Sequence, residues 1–467
     1  MPSGANAPRS DQMALLSELI HQEKSGKGFR NRLEKLVGIS SGVIKAKGLS
    51  KEQRIAVREW HKEYYRAAKL PTAFVKELAQ TTAEASQVWA MARKENRFEL
   101  FAPFLERIVA LNRKKADLLG FGDHPYDALL ESYEPCATTA RLNRLFAGLK
   151  KELQGLLVKI EEKQKKLPAW KGSFPAKKQE ELGQALLRAL PVDLRYIRLD
   201  LGTHPCSSSL SPLDCRITTR ISESDPSSSL FSILHETGHA LYDMGLPFAH
   251  FGTPLAEYVS LSVHESQSRW WETLIGRSRG FWSFFYPTLQ ESFPTQLKKM
   301  SMERFYQLIH RVSRTLIRVE ADEVTYNLHV IVRFELEKRL ISGELKVAEL
   351  PQAWNDTMRD IVGITPPTDR EGCLQDIHWS FGGFGYFPTY TLGNLLAAHF
   401  FTAFAKEYPK WEERVAKGDF VFIREWLRKE VHCWGRTYNS EELAKRVTGK
   451  PLSEKAYCTY LKKKYLG

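Results

Sequence analysis

Most of the chain shows the hydrophobic spacing of amphipathic helices. Apolar side chains recur every three or four positions, and charged side chains fill the positions between them. This spacing predicts long helices over four stretches, residues 51–70, 81–112, 139–166 and 296–340, the last as one helix or two. The α-helix is therefore the predominant predicted element.

Alternating patterns are rare and lie near the middle of the chain. Residues 194–201 and 213–221 alternate in part and contain β-branched side chains, which favours two strands. Proline and serine cluster at 204–212 and 224–229, which predicts loops. The fold class is thus mainly α, with a small β-sheet. No linker requires a domain boundary, so we expect a single domain over residues 1–467, with two lobes around a central groove as an option.

The composition is that of an ordinary globular protein. Hydrophobic residues make up 43% and charged residues 26% of 467 residues. A chain of this length buries a core without disulfides, so a metal would serve catalysis rather than folding. The six cysteines form no C-x-x-C pair, which argues against a zinc ribbon and a disulfide framework.

The net charge of +13 raises the question of a nucleic-acid or membrane partner. Lysine and arginine are spread along the chain, apart from a cluster at 462–464, and no nucleic-acid-binding motif appears. The first thirty residues lack the apolar region of a signal peptide, and no apolar run is long enough to span a membrane. We expect a cytoplasmic protein without nucleic-acid or membrane partners.

The sequence His235-Glu236-Thr237-Gly238-His239 matches the H-E-x-x-H motif of metallopeptidases. Positions i and i+4 share one face of a helix, so both imidazoles can reach one ion. Glu236 follows the first histidine and can contact a metal-bound water without competing for the metal. Zinc would activate that water, and Glu236 would transfer its proton to the leaving amine.

The context of the motif favours a buried metal helix over histidines that merely line a helix surface. Asp225 and Pro226 provide a helix start, and Gly245 and Pro247 provide a stop. Apolar residues such as Leu234 support burial. A buried helix that carries two histidines must satisfy both rings, which a metal ion does.

A third protein ligand is expected on a second helix. No H-x-x-G-x-x-H continuation follows, which excludes a three-histidine site of the metzincin type. A helical pattern begins at Thr253 and Pro254 and contains Glu257, His264 and Glu265, and the spacing does not choose among these three. Upstream, residues 214–220 form a predicted strand, which either pairs with an extended substrate or is purely structural.

The chain resembles the carboxypeptidase Taq family of metallocarboxypeptidases. The resemblance starts from the motif helix, residues 235–242, and from His264-Glu265-Ser266-Gln267-Ser268-Arg269. It extends to four further blocks in the family's order and covers nearly the whole chain. These blocks are residues 214–218, 317–322, 372–379 and 384–390.

The resemblance implies the fold, the activity and the third ligand. Glu265 would complete a site for one zinc ion per chain with His235 and His239, and cobalt would be able to substitute. The family releases C-terminal amino acids from peptides with broad specificity. Its fold is a helical body with a deep substrate groove, often as a homodimer. We therefore expect peptides with a free C-terminus as substrates and a second copy of the chain as a partner.

The resemblance also implies substrate-binding residues. Arg318 would bind the terminal carboxylate, because a guanidinium forms two parallel charge-assisted bonds, and Arg333 is a second candidate. His378 and Tyr386 would face the groove, where the phenol would stabilise the oxyanion. Two further expected substrate contacts are His204, from the family's His-Pro-Phe motif, and His264, which would either bond the substrate or fix Glu265.

Two residues depart from the family pattern. Cys206 stands where the motif with His204 has phenylalanine, and Cys136 stands where glycine is expected. Asp322 is expected to be structural or to bond a ligand imidazole. Two alternative functions stay open, a zinc oligopeptidase or endopeptidase on the same scaffold and a basic metal-binding protein without turnover.

Overall fold

The computed structural model describes residues 6–164 and 172–467. Within these ranges the chain forms two compact units, each composed of two segments. The first unit contains Met1–Gln154 and Arg314–Pro388, and the second contains Gly155–Ser313 and Thr389–Gly467.

Among its described residues, the first unit is built from helices and connecting segments, with one isolated β-bridge between Val37 and Ile44. Its fully buried side chains include Phe101, Tyr126 and Trp354, which form its core. Its helices are α1 (Asn6–Ser25), α2 (Lys27–Glu34), α3 (Lys51–Ala68), α4 (Thr72–Glu95), α5 (Phe98–Leu119), α6 (Pro125–Leu130), most of α7 (Thr139–Lys163), and, after the second crossing of the chain, α14 (Tyr326–Ser342) and α15 (Leu350–Ile361).

The second unit combines helices with a three-stranded sheet. The strands are β1 (Ile197–Leu201), β2 (Cys206–Ser211) and β3 (Asp214–Thr219). The helices are α8 (Ala176–Ala189), α9 (Pro226–Gly245), α10 (Leu261–Arg269), α11 (Arg279–Ser292), α12 (Pro294–Leu297), α13 (Met302–Ile309), α16 (Pro388–Glu407), α17 (Trp411–Val415), α18 (Val421–Glu430), α19 (Ser440–Thr448) and α20 (Lys455–Leu466).

The sheet has the order β1-β3-β2, with β1 parallel and β2 antiparallel to the central strand. The predicted loop at 204–212 is wrong, because Cys206–Ser211 pairs with β3 as an edge strand. The idea that residues 214–220 pair with an extended substrate is also wrong, since β3 is paired on both sides. The strands predicted at 194–201 and 213–221 are confirmed in shorter form.

The helix predictions are confirmed in part. The first predicted helix is α3, and the helix over 139–166 is α7, whose predicted last residues lie outside the described ranges. The stretch 81–112 is not one helix, because Asn96 adopts a left-handed conformation and ends α4. The stretch 296–340 contains α13, an irregular segment and α14 rather than one or two long helices.

The motif helix α9 packs against the sheet. Asp225 caps it by accepting a hydrogen bond from the Ser227 N–H, and Pro226 occupies its first turn. Ala240 on its inner face joins Cys215 and Ile217 of β3 in a buried cluster. The mainly α class, with a small sheet beside the motif helix, is therefore confirmed. Among the described residues, no helix is long and apolar enough to cross a membrane.

Candidate metal centre

A close crossing of α9 and α10 builds the centre. Gly238 makes this crossing possible, because a Cβ there would lie 2.5 Å from the Gln267 carbonyl oxygen and 2.6 Å from the Ser268 Cα. Both contacts are with backbone, which cannot move aside without separating the helices. The glycine inside the motif therefore allows the two histidines of α9 to approach the ligand candidates of α10.

The second helix starts later than the sequence pattern predicts. Residues Pro254–Ala256 form only a short 3₁₀ turn, and Ser260 caps α10 by accepting a bond from the Val263 N–H. Glu257 lies before this helix and forms an ion pair with Arg436. The structure thus brings Glu265 to the histidine pair and leaves Glu257 outside it.

Three side chains place donor atoms around one point. The Oε2 atom of Glu265 lies 3.6 Å from the Nε2 atom of His235 and 3.5 Å from that of His239. Within the described residues, these three form the one cluster of at least three histidine, cysteine or acidic side chains that could hold a metal ion. Their donor atoms all lie within 4.8 Å of one another. Two ligands at 2.0–2.1 Å from a tetrahedral ion lie about 3.3 Å apart, so the spacing suits such an ion.

A second carboxylate orients His235. The Nδ1 atom of His235 lies 2.8 Å from Glu272 Oε2, so Nδ1 donates to this carboxylate, and Nε2 lies 3.6 Å from Glu265 Oε2. Burial lowers the pKa of His235, but the charge of Glu265 and the bond to Glu272 outweigh it and raise the pKa to about 9. Burial opposes ionisation of Glu272 as well, yet Arg269 and His235 lower its pKa to about 2.

Glu265 is held from three sides. Its Oε1 accepts a hydrogen bond from Arg269 Nε at 2.8 Å, and its Oε2 accepts one from the Ser268 hydroxyl at 3.1 Å. Burial alone would raise its pKa, but the charges of His235 and Arg269 hold the pKa far below its usual range. The side chain also packs on Gly393 of α16, where a Cβ would lie 2.6 Å from Glu265 Cγ. The carboxylate is therefore ionised and has little room to move.

His239 has a longer chain of support than His235. Its Nδ1 atom lies 2.5 Å from Nδ1 of His264, whose Nε2 lies 2.9 Å from Asp243 Oδ1. The other oxygen of Asp243 accepts the Ser209 hydroxyl of β2 at 2.6 Å. Burial and the neighbouring His264 lower the pKa of His239 to about 4. The predicted substrate residue His264 therefore lies directly against a histidine of the motif.

Glu236 is buried, with 6% of its surface exposed. Desolvation raises the pKa of its carboxyl to about 7, although the charge of His235 opposes the shift. A carboxylate with a pKa near neutrality can both accept and release a proton at physiological pH. Such a group is suited to general base catalysis.

The two predicted carboxylate-binding arginines lie together in the first unit. Arg318 donates from Nε and Nη2 to Asp376 Oδ1 at 3.1 and 2.8 Å, and Arg333 donates from Nε to Asp376 Oδ2 at 2.8 Å. The side chain of Arg333 is 0% exposed and that of Arg318 is 6% exposed. Burial on its own would raise the pKa of Asp376, but the charges of the two guanidiniums outweigh it and hold the pKa far below its usual range.

The predicted pair His378 and Tyr386 also lies in the first unit. Their rings meet edge to face with centroids 5.1 Å apart. The segment that carries them is attached to α14 through Glu337, which accepts hydrogen bonds from Tyr126, the Trp379 indole and the Gly385 N–H. Burial outweighs these bonds and raises the pKa of Glu337 to about 7.

The remaining predicted residues have local roles in the structure. His204 is exposed just before β2, and Cys206 begins that strand. Cys136 has a φ of +68°, a left-handed conformation that glycine adopts without strain, which explains why glycine is expected there. The Asp322 carboxylate accepts hydrogen bonds from the N–H groups of Val324 and Thr325 just before α14, which is a structural role.

Sequence reasoning assigned no role at the site to Glu272 and Asp243. Glu272 lies seven residues after Glu265, two helical turns on, and Asp243 lies one turn after His239. These spacings place each carboxylate on the same side as a ligand candidate. That signal was available in the sequence, but it becomes specific only when the crossing of the helices is known.

The whole chain matches known carboxypeptidases. Residues 1–465 match the sequence profile of the carboxypeptidase Taq (M32) metallopeptidases. The thermostable carboxypeptidase 1 of Thermus thermophilus is 42% identical, over 100% of this chain and 92% of the relative's length. The carboxypeptidase 1 of Bacillus subtilis is 36% identical, over 99% of this chain and 92% of the relative's length.

Solved structures match the fold equally well. The M32 carboxypeptidase from Deinococcus radiodurans has a TM-score of 0.93 at 37% identity and covers 100% of this chain and 93% of its own. A carboxypeptidase structure from Pyrococcus furiosus gives the same score, identity and coverage. The profile, the identities and the shared fold together show that this chain belongs to the carboxypeptidase Taq (M32) family and is a metallopeptidase, a hydrolase that removes residues from the C-termini of peptides.

Proposed function

We propose that the protein is a zinc carboxypeptidase that uses His235, His239 and Glu265 as metal ligands and Glu236 as the general base. The single observation that carries this proposal is the convergence of two Nε2 atoms and one carboxylate oxygen within 4.8 Å. Two imidazoles and a carboxylate form the ligand set of catalytic zinc sites that keep a fourth position for water or substrate.

The donor set fits zinc better than magnesium or calcium. Magnesium and calcium prefer oxygen ligands, whereas imidazole suits zinc and other transition metals. The separations of 3.5 and 3.6 Å between Glu265 Oε2 and the two Nε2 atoms are close to tetrahedral spacing. The preference for zinc over cobalt follows from the family resemblance, and cobalt would be able to replace it.

The residues of the chain provide orientation and proton transfer. Zinc, when bound, acts as a Lewis acid that polarises the scissile carbonyl and lowers the pKa of the attacking water. Glu236 takes a proton from this water and delivers it to the nitrogen of the departing amino acid. The raised pKa of Glu236, about 7, suits both steps. Glu272 keeps the proton of His235 on Nδ1 and so leaves Nε2 available to the metal.

Arg318 is proposed to recognise the terminal carboxylate of the substrate. Two guanidiniums share the single carboxylate of Asp376, so the cluster of Arg318, Arg333 and Asp376 has a net positive charge that favours an additional anion. Arg318 is the better candidate, because Arg333 is completely buried and donates to Asp376, to the His329 carbonyl and to Gln375.

Tyr386 is proposed to donate its phenol proton to the oxyanion that forms during hydrolysis. Packing against His378 and the bond from Gly385 to Glu337 support a fixed orientation of this ring. Tyr386→Phe should lower kcat more than it changes KM, because such a bond strengthens only in the transition state. A rise in KM as large as the fall in kcat would indicate a general structural role.

Broad specificity and a homodimer complete the proposal. Both follow from the family resemblance, and the dimer has independent support from exposed apolar side chains along α1. These side chains are Met13, Leu15, Leu16, Leu19 and Ile20. Light scattering of the purified protein measures the oligomeric state, and a monomer at all concentrations would contradict the dimer.

The decisive experiment is hydrolysis of an N-blocked peptide with release of free amino acids followed by mass spectrometry. We expect a ladder of products shortened from the C-terminus, which disappears on chelation and returns with zinc. Glu236→Gln should abolish hydrolysis but bind one zinc per chain. A Glu236→Gln enzyme as fast as wild type would show that another group is the base.

A peptide amide distinguishes the exopeptidase from an endopeptidase. An enzyme with an arginine clamp should lose most activity when the substrate carboxylate is blocked. Arg318→Lys should lose activity on the free acid and change little on the amide, because a lysine cannot form two parallel bonds. Equal hydrolysis of acid and amide by the wild type would contradict the clamp.

A further inference from the structure

We propose that Asp243 is a positioning residue for the metal centre, and that it acts on His239 through His264. The proposal assigns to His264 a hydrogen bond to the metal ligand His239 rather than a contact with the substrate. It rests on the proposed function, since it takes His239 as a metal ligand. The observation behind it is an unbroken chain of hydrogen bonds from Ser209 through Asp243 and His264 to His239.

The carboxylate determines where His264 carries its proton. An ionised carboxylate only accepts hydrogen bonds. Asp243 Oδ1 lies 2.9 Å from His264 Nε2, so this nitrogen carries a proton. The second oxygen accepts the Ser209 hydroxyl at 2.6 Å, which holds the plane of the carboxylate. With Nε2 as the donor to Asp243, the tautomer of His264 that carries a single proton has its lone pair on Nδ1.

This lone pair in turn determines the tautomer of His239. The two Nδ1 atoms are 2.5 Å apart, a distance at which two protons or two lone pairs would repel. One proton must lie between them, and in this tautomer His264 Nδ1 accepts it from His239 Nδ1. The Nε2 atom of His239 then has its lone pair free on the side of Glu265 Oε2, 3.5 Å away. This is the tautomer that can bind a metal.

Packing holds the Asp243–His264–His239 relay in one orientation. Tyr242 and Tyr258 contact the His264 ring edge to face, with centroids 5.3 and 5.2 Å away. The two histidines of the motif thus differ in their support. Glu272 orients His235 directly, whereas Asp243 orients His239 across an intervening imidazole. Loss of Asp243 should therefore affect one ligand and leave the other held.

The test compares zinc affinity in three variants by competition with a chromophoric chelator. Asp243→Leu keeps the branched shape but removes the acceptor, and we expect zinc to bind about 10- to 100-fold more weakly. Asp243→Asn keeps an oxygen that can accept from His264 and should retain most of the affinity. Asp214→Asn removes an exposed carboxylate that pairs with Arg216 on β3, and it should match the wild type.

Two further measurements separate positioning from simple destabilisation. The unfolding temperature of each metal-free variant reports on stability, and ¹⁵N spectra of labelled histidines report the Nδ1–H of His239 in the metal-free protein. We expect that signal in the wild type and its loss in Asp243→Leu. If Asp243→Leu does not fold, His264→Phe provides the same test, because it keeps a ring against Tyr242 and Tyr258 without nitrogens.

The outcomes are distinguishable from failure of the proposed function. A folded Asp243→Leu or His264→Phe protein with wild-type zinc affinity would overturn the relay. A wild-type protein that binds no zinc and hydrolyses no peptide would overturn the proposed function itself. Weak binding by Asp243→Leu with full binding by Asp243→Asn would support the relay.

Discussion

Replacing Gly393 by alanine tests whether packing on α16 controls the position of the metal carboxylate. Gly393 lies in the interior of α16, where alanine is normally more favourable than glycine by roughly 1 kcal/mol. In this position, however, a Cβ would lie 2.6 Å from Cγ and 2.7 Å from Cβ of Glu265. The substitution therefore has two opposite effects. It improves the helix propensity of α16, but it places a methyl group in steric conflict with a proposed metal ligand.

The size of the displacement follows from these contacts. Carbon atoms that are not bonded settle about 3.5 to 4.0 Å apart, so Glu265 or α16 must retreat by about 1 Å. Metal–ligand distances tolerate only about 0.2 Å. We expect zinc binding to weaken by at least about tenfold, the lower bound for disturbing an outer partner of a metal ligand. Overpacking costs about 1–3 kcal/mol, which offsets or exceeds the gain in helix propensity.

The assay measures zinc affinity by chelator competition and the free energy of unfolding of the metal-free protein in urea. Gly155→Ala in α7 is the matched control, because a Cβ at Gly155 would meet nothing within 4 Å. The control should gain about 0.5–1 kcal/mol and bind zinc as the wild type does. Wild-type zinc affinity in Gly393→Ala would refute the reasoning, since Glu265 would then have room that the structure does not show.

Three other predictions concern buried charge, pH and the metal. Asp376→Asn should lower the free energy of unfolding, measured in urea, by about 3–5 kcal/mol, because two buried guanidiniums lose their shared partner. Asp214→Asn, in an exposed ion pair, should lower it by less than about 1 kcal/mol. Equal losses in the two variants would contradict this prediction. Glu337 binds its proton more tightly when folded, since burial raises its pKa from the ordinary 4.5 to about 7. The stabilisation that protonated Glu337 gives the folded protein is thus complete below pH 4.5 and is lost as the pH rises through about 7. Glu337→Gln should lack this part of the pH dependence of unfolding, and parallel curves for the two proteins would refute it. Zinc at a hundred times its Kd should stabilise the fold by about 2.7 kcal/mol, measured as a shift of Tm on chelation, and an unchanged Tm would exclude a bound metal.

The limits of sequence reasoning are clearest in the ligand set. The positions of His235, Glu236 and His239 follow from helix geometry, since side chains four residues apart share a face. The helical pattern from Thr253 did not identify the third ligand, because it left Glu257, His264 and Glu265 equivalent, and Glu265 was expected only from the family resemblance. A 3₁₀ turn and the Ser260 cap delay the start of α10, which leaves Glu257 outside the helix. The crossing of α9 and α10 then places Glu265, rather than His264, against the Nε2 atoms of both histidines.

The same distinction applies to the sheet and the long helices. Strand β2 is rich in serine and reads as a loop, because its pairing with β3 depends on a partner strand rather than on its own side chains. The predicted helix over 296–340 is interrupted between α13 and α14, in the segment where Arg318 pairs with Asp376. In both cases tertiary contacts outweigh local propensity.

The sequence by itself determined the helical class, the motif helix with its caps, and the placement of two proposed ligands with the proposed base beside them. These features depend on residues a few positions apart, whose geometry the helix repeat specifies. Only the tertiary structure decided that Glu265 meets the two histidines, that Asp243 bonds His264 and Glu272 bonds His235, and that Gly238 and Gly393 leave the space for these contacts. These contacts join segments far apart in the chain, and their distances depend on how closely whole helices pack.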